Sequence, residues 1–253
     1  MRRDRAVQIR KGSYVMNKVS LVFASLLPEP LMIKFVRFYV NLQMKKHARL
    51  EVNGLENLNG DLERPYLFVC NHLSNSDGLI LNKVLEKEKI IFVAGKKLES
   101  NFMTSLGFKI VRSISIVPNS PDKEAIKKVI GAVKEGNSIL IFPEGTRSRT
   151  AKMLEGKKGI LLFAKLTNAP IVPIGIWGTE KFMPIMQDMG KEAFCDADIN
   201  INIGEAFKLP KRGTDETKEN WEADSLQHIM MSIAELLPKE YRGYYGDPRK
   251  DLM

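Results

Sequence analysis

The sequence is poor in the residues and motifs that metal, disulfide and nucleotide chemistry require. Its 253 residues include only 2 cysteines and 3 histidines. Two cysteines argue against a disulfide framework, and the histidines lack the i, i+4 spacing of a helical zinc site. The chain also has no Gly-x-Ser-x-Gly elbow, no Walker loop and no Gly-x-Gly-x-x-Gly fingerprint. These absences argue against a metal site, a serine hydrolase, a P-loop enzyme and a dinucleotide-binding protein.

Long apolar runs without charge are absent too, and the positive charge is confined to one end of the chain. No such run reaches the length of about 20 residues that crosses a bilayer, and the N-terminal arm has no small-residue signal cleavage site. The net charge of the whole chain is +9, and residues 1–50 carry all of it, with 11 Lys and Arg against 2 acidic residues. Such an arm fits either nucleic acid or an anionic membrane.

The apolar content of the arm favours the membrane over nucleic acid. A helix is predicted over residues 31–45, almost apolar all round except for one narrow polar stripe. Pro28 and Pro30 separate it from a shorter predicted helix over residues 14–27, so residues 1–48 predict an amphipathic two-helix hairpin. We expect it to lie in the interface of an anionic cytoplasmic leaflet. Its predicted membrane contacts are Lys34, Phe35, Arg37, Phe38 and Tyr39. The alternative is that both helices pack on the rest of the protein as core.

The rest of the chain alternates short apolar runs with amphipathic segments, which is typical of an α/β protein. Strands are predicted over residues 49–52, 66–70, 90–93, 138–142, 171–176 and 199–203. Helices are predicted over residues 77–88, 121–134, 157–166 and 215–237, and loops over residues 188–198 and 209–214. We therefore predict a domain over residues 49–240 with a mixed sheet flanked by helices. Residues 241–253 predict a mobile tail, because they combine glycine, proline and charge.

A histidine and a carboxylate follow one of the buried strands. Asn-His-Leu-Ser-Asn-Ser-Asp over residues 71–77 comes directly after the apolar run of residues 66–70. On one continuous helix His72 and Asp77 would point about 140° apart, but three good N-cap residues separate them. The pattern predicts a turn that carries His72 back onto Asp77, as a general base whose tautomer is fixed by an acid. The alternative is a structural histidine beside an aspartate that favours the helix dipole.

A second polar loop follows another buried strand. The sequence Phe-Pro-Glu-Gly-Thr-Arg-Ser covers residues 142–148 and is followed by Arg149. Ligands of open α/β sheets bind outside the carboxyl ends of the strands, so both loops are expected to share one crevice. Gly145 is expected to need a positive φ or to allow the close approach of a substrate. Cys70 lies on the same strand face as His72 by the two-residue period, which allows a cysteine nucleophile, although a core role is more typical of such a run.

At this point the chain resembles the 1-acylglycerol-3-phosphate acyltransferases, within the wider glycerophospholipid acyltransferases. His72 and Asp77 match the His-x4-Asp motif of the family, and residues 142–148 match its Phe-Pro-Glu-Gly-Thr-Arg-Ser block without substitution. Residues 170–176 match its Val-Pro block and follow a family-like Lys158-Gly159. The resemblance covers about residues 50–179.

The chain departs from the family pattern in the second motif block. The family has a glycine followed by an arginine six places on, whereas Gly107 to Arg112 is one residue short and the register through residues 113–117 ends on Asn119. Arg112 is therefore not carried over as a phosphate ligand.

The resemblance implies transfer of a fatty acyl group from a thioester to the sn-2 hydroxyl of 1-acylglycerol-3-phosphate, which gives phosphatidate. His72 would be the general base, oriented by Asp77, and no covalent acyl-enzyme would be needed. Arg147 would hold the acceptor's phosphate through bidentate hydrogen bonds. Further candidates for the acceptor are Glu144, Gly145, Thr146, Arg149, Lys96 and Lys158. Backbone N–H groups after His72 or at Gly145 are candidates for the oxyanion.

The partners that the resemblance implies are a lysophospholipid acceptor, a membrane phospholipid surface and an acyl-CoA or acyl-carrier protein donor, with no other cofactor and no nucleic acid. The protein is expected at the cytoplasmic face of the cell membrane. Two alternatives stay open. One is the same chemistry on another lysophospholipid or on glycerol-3-phosphate. The other is a non-catalytic lipid-binding module at the membrane.

Overall fold

The computed structural model describes residues 13–14, 27–60, 62–95, 110–117, 122–184 and 193–246. Its helices are α1 (Glu29–His47), α2 (Ser76–Val84), α3 (Lys123–Lys134), α4 (Gly159–Thr167), α5 (Thr179–Phe182) and α6 (Lys218–Glu235). Its strands are β1 (Ser13–Tyr14), β2 (Ala48–Asn53), β3 (Leu67–Cys70), β4 (Ile91–Gly95), β5 (Ser113–Ile116), β6 (Ile139–Ile141), β7 (Ile171–Trp177), β8 (Ala193–Phe194) and β9 (Ala197–Ile203).

Seven of these strands form one sheet in the order β2-β9-β7-β3-β6-β4-β5. β7 and β9 run antiparallel, and every other neighbouring pair is parallel. The predicted mixed sheet flanked by helices is confirmed. β3 lies beside β6 in the register Leu67↔Ile139 and Val69↔Ile141, so the two predicted polar loops leave the same edge of the sheet from adjacent strands.

Helices cover both faces of this sheet, which explains why its central strands are apolar throughout. Leu67 and Val69 point into one core, with Ile160 of α4 and Ile233 of α6. Phe68 and the other alternate positions of β3 point into the opposite core, which α2 covers. β3 is buried at all four positions. The loop after β3 therefore starts from a fixed point.

The predicted helix over residues 31–45 is confirmed as α1, and its two faces differ. Val36 and Val40 are buried and cluster with Ile110. Phe38 is 67% exposed on the other face, and Leu31 and Leu42 are exposed as well. An almost uniformly apolar helix thus divides into one face that the domain covers and one that it leaves bare.

Three of the five predicted membrane contacts also touch the domain. Phe35 and Tyr39 are half-buried against the cluster around Val36, and burial raises the pKa of Tyr39. Arg37 donates to the carbonyl of Ile110 at 2.6 Å. These side chains join α1 to the domain. The sequence pattern did not show which side of an almost uniformly apolar helix the domain would cover.

The N-terminal half of the predicted hairpin lies outside the described residues, except for residues 13, 14 and 27. Ser13 and Tyr14 pair with Phe194 and Ala193 as a two-stranded antiparallel sheet. In the part of the chain that the structure describes, no helix combines the length and the apolar composition needed to cross a bilayer.

The tail is the clearest error of the sequence interpretation. Tyr241 and Tyr245 are buried, and the chain forms two 3-10 helices, Lys239–Tyr241 and Gly243–Tyr245. The prediction of a mobile tail is therefore wrong as far as residue 246, because aromatic side chains pack this polar-looking segment on the core. Residues 247–253 lie outside the described residues.

Two smaller differences concern strands and loops. β5 was not predicted, although its Ser-Ile-Ser-Ile sequence has the shortest alternation that is typical of a half-buried strand. Residues 188–198 were predicted as one loop, but β8 and the start of β9 fall within them.

Candidate active site

The side chain of Asn71 fixes the direction in which the chain leaves β3. Its amide donates to the carbonyl of Ile176 at 2.8 Å and accepts from the N–H of Ile176 at 2.8 Å. Asn71 is fully buried, so these bonds tie the end of β3 to β7 without competition from water. α2 then begins at Ser76 and carries Asp77 in its first turn. The predicted arrangement of strand, turn and helix is confirmed.

The turn brings His72 against Asp77. Nδ1 of His72 lies 2.8 Å from Oδ2 of Asp77, and the two side chains are 17% and 0% exposed. Because an ionised carboxylate can only accept, Nδ1 carries the proton and Nε2 keeps its lone pair. Within the described residues Nε2 has no hydrogen-bond partner. The predicted contact is confirmed, and it leaves an imidazole nitrogen ready to accept a proton.

Asp77 holds more than the imidazole. Its Oδ2 also accepts from the backbone N–H groups of Leu73 at 2.7 Å and Ser74 at 2.9 Å. Its Oδ1 has no hydrogen-bond partner in the described part of the chain. One oxygen atom therefore organises the whole turn, and the ring of His72 is fixed from the other side by stacking on Phe142, with the ring centroids 4.0 Å apart.

The loop after β6 is bonded to the backbone of His72. The N–H of Ser148 donates to the carbonyl of His72 at 2.8 Å. Oε1 of Glu144 accepts from the N–H of His72, and Oε2 accepts from the N–H of Leu154, both at 2.9 Å. Glu144 is 1% exposed. Glu144 was a candidate for binding the acceptor, but its carboxylate bonds backbone groups and lies inside the loop.

Burial raises the pKa of Glu144 to about 7, against the two backbone hydrogen bonds, which lower it; the charge of Asp77 raises it further. The two N–H donors favour the ionised form of the carboxyl group, whereas its burial favours the neutral form. The same burial, with the charges of Asp77 and Glu144, raises the pKa of the Cys70 thiol well above its usual range. Cys70 is fully buried in the core, so it is not a reactive thiolate.

Arg147 and Lys157 of this loop make no side-chain hydrogen bond or ion pair with any described residue. Arg147 is half-buried, and no hydrogen bond or ion pair engages its guanidinium among the described residues. Lys157 extends across Gly145, with Nζ 3.0 Å from the place that a Cβ on Gly145 would take. Gly145 has φ +68°, so the positive φ expected for a glycine here is confirmed. The loop is shaped to expose cations without partners, as an anion site requires.

The other predicted cations are placed differently. Arg149 is exposed, like Thr146, and Lys158 forms an ion pair with Glu222 at 3.5 Å. Lys96 lies outside the described residues. Lys158 is therefore engaged with α6 rather than free to bind an anion.

Arg112 lies at the opposite edge of the sheet. It directly precedes β5, and its guanidinium donates to the side chain of Asn137, which lies just before β6, at 2.9 Å. β4 is parallel to both β5 and β6, so residues that precede these strands lie at the amino edge, away from His72. Arg112 cannot be a phosphate ligand of this site.

The predicted oxyanion donors are already engaged. The N–H groups of His72, Leu73 and Ser74 donate to Glu144 and Asp77. The N–H of Gly145 donates to the carbonyl of Phe142 at 3.0 Å. These groups build the turns that hold the site, so the prediction that they face an oxyanion is wrong for this arrangement.

Sequence reasoning missed three contributors: Phe142, Leu154 and Lys157. Phe142 was visible as the first residue of the matched block, but nothing in the pattern showed that its ring would face the imidazole. Lys157 directly precedes Lys158, which was a candidate from the sequence. Lys158 pairs with Glu222, whereas Lys157 extends across Gly145. Leu154 contributes through its backbone, which leaves no signal in a sequence.

Comparison with known proteins shows which proteins this chain is similar to. The model of a family described as Acyltransferase matches residues 49–177. A chloroplastic 1-acyl-sn-glycerol-3-phosphate acyltransferase of Brassica napus is 28% identical over 148 residues, which are 58% of this chain and 43% of that protein. A 1-acyl-sn-glycerol-3-phosphate acyltransferase of Bacillus subtilis is 27% identical over 174 residues, 69% of this chain and 81% of that protein. The chain spans less than half the length of the plant relatives that it matches.

A solved structure shares the fold. The crystal structure of the 1-acyl-sn-glycerophosphate (LPA) acyltransferase PlsC from Thermotoga maritima superposes with a TM-score of 0.55 at 23% identity. The match covers 86% of this chain and 87% of that one. The similarity therefore extends beyond the residues that the family model matches, into both ends of the chain.

Proposed function

Because the chain belongs to the acyltransferase family, we propose that it transfers a fatty acyl group from a thioester to the sn-2 hydroxyl of 1-acylglycerol-3-phosphate and forms phosphatidate. The observation that carries the proposal is the pairing of Nδ1 of His72 with Oδ2 of Asp77 at 2.8 Å, which leaves Nε2 without a partner among the described residues. The relatives named for this reaction support the choice of acceptor.

In the proposed mechanism Nε2 of His72 removes the proton of the acceptor hydroxyl as its oxygen attacks the thioester carbonyl. Asp77 stabilises the imidazolium that forms. The tetrahedral intermediate collapses, the new ester bond remains, and the carbon–sulfur bond breaks. His72 returns its proton to the departing thiolate, so the enzyme ends in its starting state. No side chain of the protein is acylated.

The acceptor's phosphate is proposed to bind Arg147 and Lys157. A guanidinium offers two parallel hydrogen bonds, and an ammonium adds a point charge. Both lie on the loop whose Ser148 bonds the carbonyl of His72, which brings phosphate and base to one surface. Phosphate binding at this loop would orient the adjacent glycerol hydroxyl toward Nε2.

An acceptor and donor panel tests the proposal. Purified protein is given acyl-CoA or acyl-carrier protein with 1-acylglycerol-3-phosphate, other lysophospholipids or glycerol-3-phosphate, and product formation is followed by mass spectrometry. Phosphatidate from 1-acylglycerol-3-phosphate is the expected main product. Faster acylation of glycerol-3-phosphate would reassign the acceptor, and no transfer with any pair would leave a lipid-binding module.

Alanine at Arg147 is expected to raise the KM for 1-acylglycerol-3-phosphate by about 10- to 100-fold, since charge-assisted hydrogen bonds are worth roughly 1.5–3 kcal/mol. The KM for the acyl donor should stay nearly unchanged. Initial rates at varied acceptor and donor concentrations measure both. Arg149→Ala removes the same charge from an exposed position two residues on, and its acceptor KM should stay close to that of the wild type. A rise in the donor KM instead would assign Arg147 to the donor.

We further propose that residues 1–48 attach the protein to the cytoplasmic face of the membrane as a monotopic hairpin. Support comes from the exposed apolar face of α1, with Phe38 67% exposed, and from the net charge of +9 that residues 1–50 carry. Lys34 is exposed on the same helix, where anionic headgroups can reach it. A lysophospholipid acceptor resides in that surface, so the site would meet its substrate there.

Serine at both Phe38 and Leu42 is expected to lower binding to anionic liposomes by at least about tenfold, because each large apolar side chain buried contributes roughly 1.5–3 kcal/mol. Co-sedimentation with liposomes measures this. The matched control is Leu166→Ser on α4, another exposed leucine. Point variants are preferable to deletion of residues 1–48, because Val36 and Val40 belong to the core. Undiminished sedimentation of the double variant would contradict the interfacial proposal.

A further inference from the structure

The C-terminal segment of residues 241–246, named here the C-terminal strap, lies beyond the residues that the family model matches and packs on the loop of residues 153–156. The N–H of Met153 donates to the carbonyl of Tyr241 at 2.8 Å, and the N–H of Tyr244 donates to the carbonyl of Met153 at 3.1 Å. The N–H of Gly156 donates to the hydroxyl of Tyr245 at 2.9 Å. Three hydrogen bonds therefore join the strap to this loop.

The fit between strap and loop is close. Gly243 has φ +51°, and a Cβ there would lie 2.2 Å from the carbonyl oxygen of Met153. Tyr245 is 7% exposed, and burial raises the pKa of its hydroxyl to about 12, so it stays neutral. The start of the strap is anchored separately, because the hydroxyl of Tyr241 donates to Oε1 of Glu180 at 2.9 Å. The strap thus holds the loop from a fixed position.

The loop in turn holds the proposed general base. Leu154, between Met153 and Gly156, donates its N–H to Oε2 of Glu144, and Oε1 of the same carboxylate accepts the N–H of His72. Each of these bonds is 2.9 Å long. A short series of hydrogen bonds therefore runs from the strap through the loop and Glu144 to the backbone of His72.

We propose that the C-terminal strap positions His72 for acyl transfer, with Tyr245 as a positioning residue that acts through the loop of residues 153–156 and Glu144. The inference rests on the proposed function, because it assigns His72 the role of base. It adds to the site a segment whose composition predicted only a mobile tail.

Loss of the Tyr245 hydroxyl would leave the buried N–H of Gly156 without its acceptor. A buried donor without a partner is costly, so the loop must shift until water reaches it. Leu154 then moves with the loop, and Glu144 loses one of the two hydrogen bonds that fix it. A displacement of about 1 Å at a reacting group costs roughly 10²-fold in rate, although the phosphate-binding side chains are untouched.

Tyr245→Phe tests this, because it removes one oxygen and keeps the ring. We expect kcat to fall by about 10- to 100-fold while the KM of either substrate changes less than about threefold. The melting temperature should fall only slightly. Amide hydrogen exchange of Leu154 and Gly156, followed by mass spectrometry of the covering peptides, should become faster. The matched control is Tyr244→Phe, the same change at the neighbouring, half-exposed tyrosine, which keeps its backbone bond to Met153 and should retain kcat.

A second variant guards against an uninformative result. Gly243→Ala forces the strap away from Met153 without removing the hydroxyl of Tyr245. This variant should lower kcat in the same way. The proposal is overturned if Tyr245→Phe keeps kcat within about twofold of the wild type, or if kcat falls only in proportion to the folded fraction. A wild type that transfers no acyl group would overturn the proposed function instead, so the two failures are distinguishable.

Discussion

Alanine in place of His72 is expected to lower kcat for acyl transfer by about 10³- to 10⁴-fold, the upper part of the range for general-base catalysis. The imidazole is the group whose free Nε2 would take the hydroxyl proton, and no other described side chain stands in its place. The fold should survive, because Asp77 keeps its hydrogen bonds to Leu73 and Ser74. Steady-state phosphatidate formation measures kcat, and a thermal melt checks the fold.

The matched control for this variant is His228→Ala, which removes a histidine from α6 that packs edge-on against Phe207. It lies outside the loops after β3 and β6, so turnover should be close to that of the wild type. If His72→Ala keeps more than about one tenth of wild-type turnover, the base would have to be another group. Liposome binding by the folded variant would show that the loss concerns chemistry rather than membrane attachment.

The contact between His72 and Asp77 was predictable because it is local. The two residues are five positions apart, and a turn followed by a helix start leaves few ways to arrange them. The meeting of the two loops was predictable for a different reason. Parallel strands place their carboxyl ends at one edge of the sheet, and both motifs follow apolar runs of strand length. Gly145 was predictable because only a special backbone position needs glycine within such a loop.

The partners of Glu144 were not predictable from the sequence. A glutamate between proline and glycine in a polar loop is usually solvated, whereas here its carboxylate accepts from the backbone N–H groups of His72 and Leu154. Which backbone groups meet depends on how deeply the loops after β3 and β6 are embedded. That depth is a property of the packed fold rather than of any local pattern.

The packing of the strap and the covered face of α1 were not predictable for a related reason. Composition describes an average environment, whereas Tyr241 and Tyr245 are buried one at a time by residues distant in sequence. In α1 the pattern showed an apolar surface almost all round, and the covered face is the one that packs against Ile110 and its neighbours. In both cases tertiary packing decides between outcomes that the local pattern allows equally.

Asparagine at Asp77 is expected to lower kcat by about 10²- to 10³-fold with the turn preserved, because it removes the charge and keeps an acceptor. Alanine would be a poorer test, since it leaves the N–H groups of Leu73 and Ser74 buried without acceptors. The same two N–H groups keep the amide oxygen of asparagine in the position of Oδ2, next to His72. In the flipped amide the NH2 group would face these two N–H donors, which is unfavourable. The imidazole therefore keeps its tautomer, and only the stabilisation of the imidazolium is lost.

The amide nitrogen of Asp77→Asn takes the place of Oδ1, which has no hydrogen-bond partner in the described residues, so a loss of about 1–3 kcal/mol in the free energy of unfolding is expected. Chemical denaturation measures that loss, and Asp224→Asn on exposed helix surface should show neither effect. Substrate KM values should change little, because the carboxylate is fully buried and contacts only the turn. A kcat within about fivefold of the wild type would mean that the carboxylate orients His72 without stabilising its charge, and the transition state would then need its charge balanced elsewhere in the crevice.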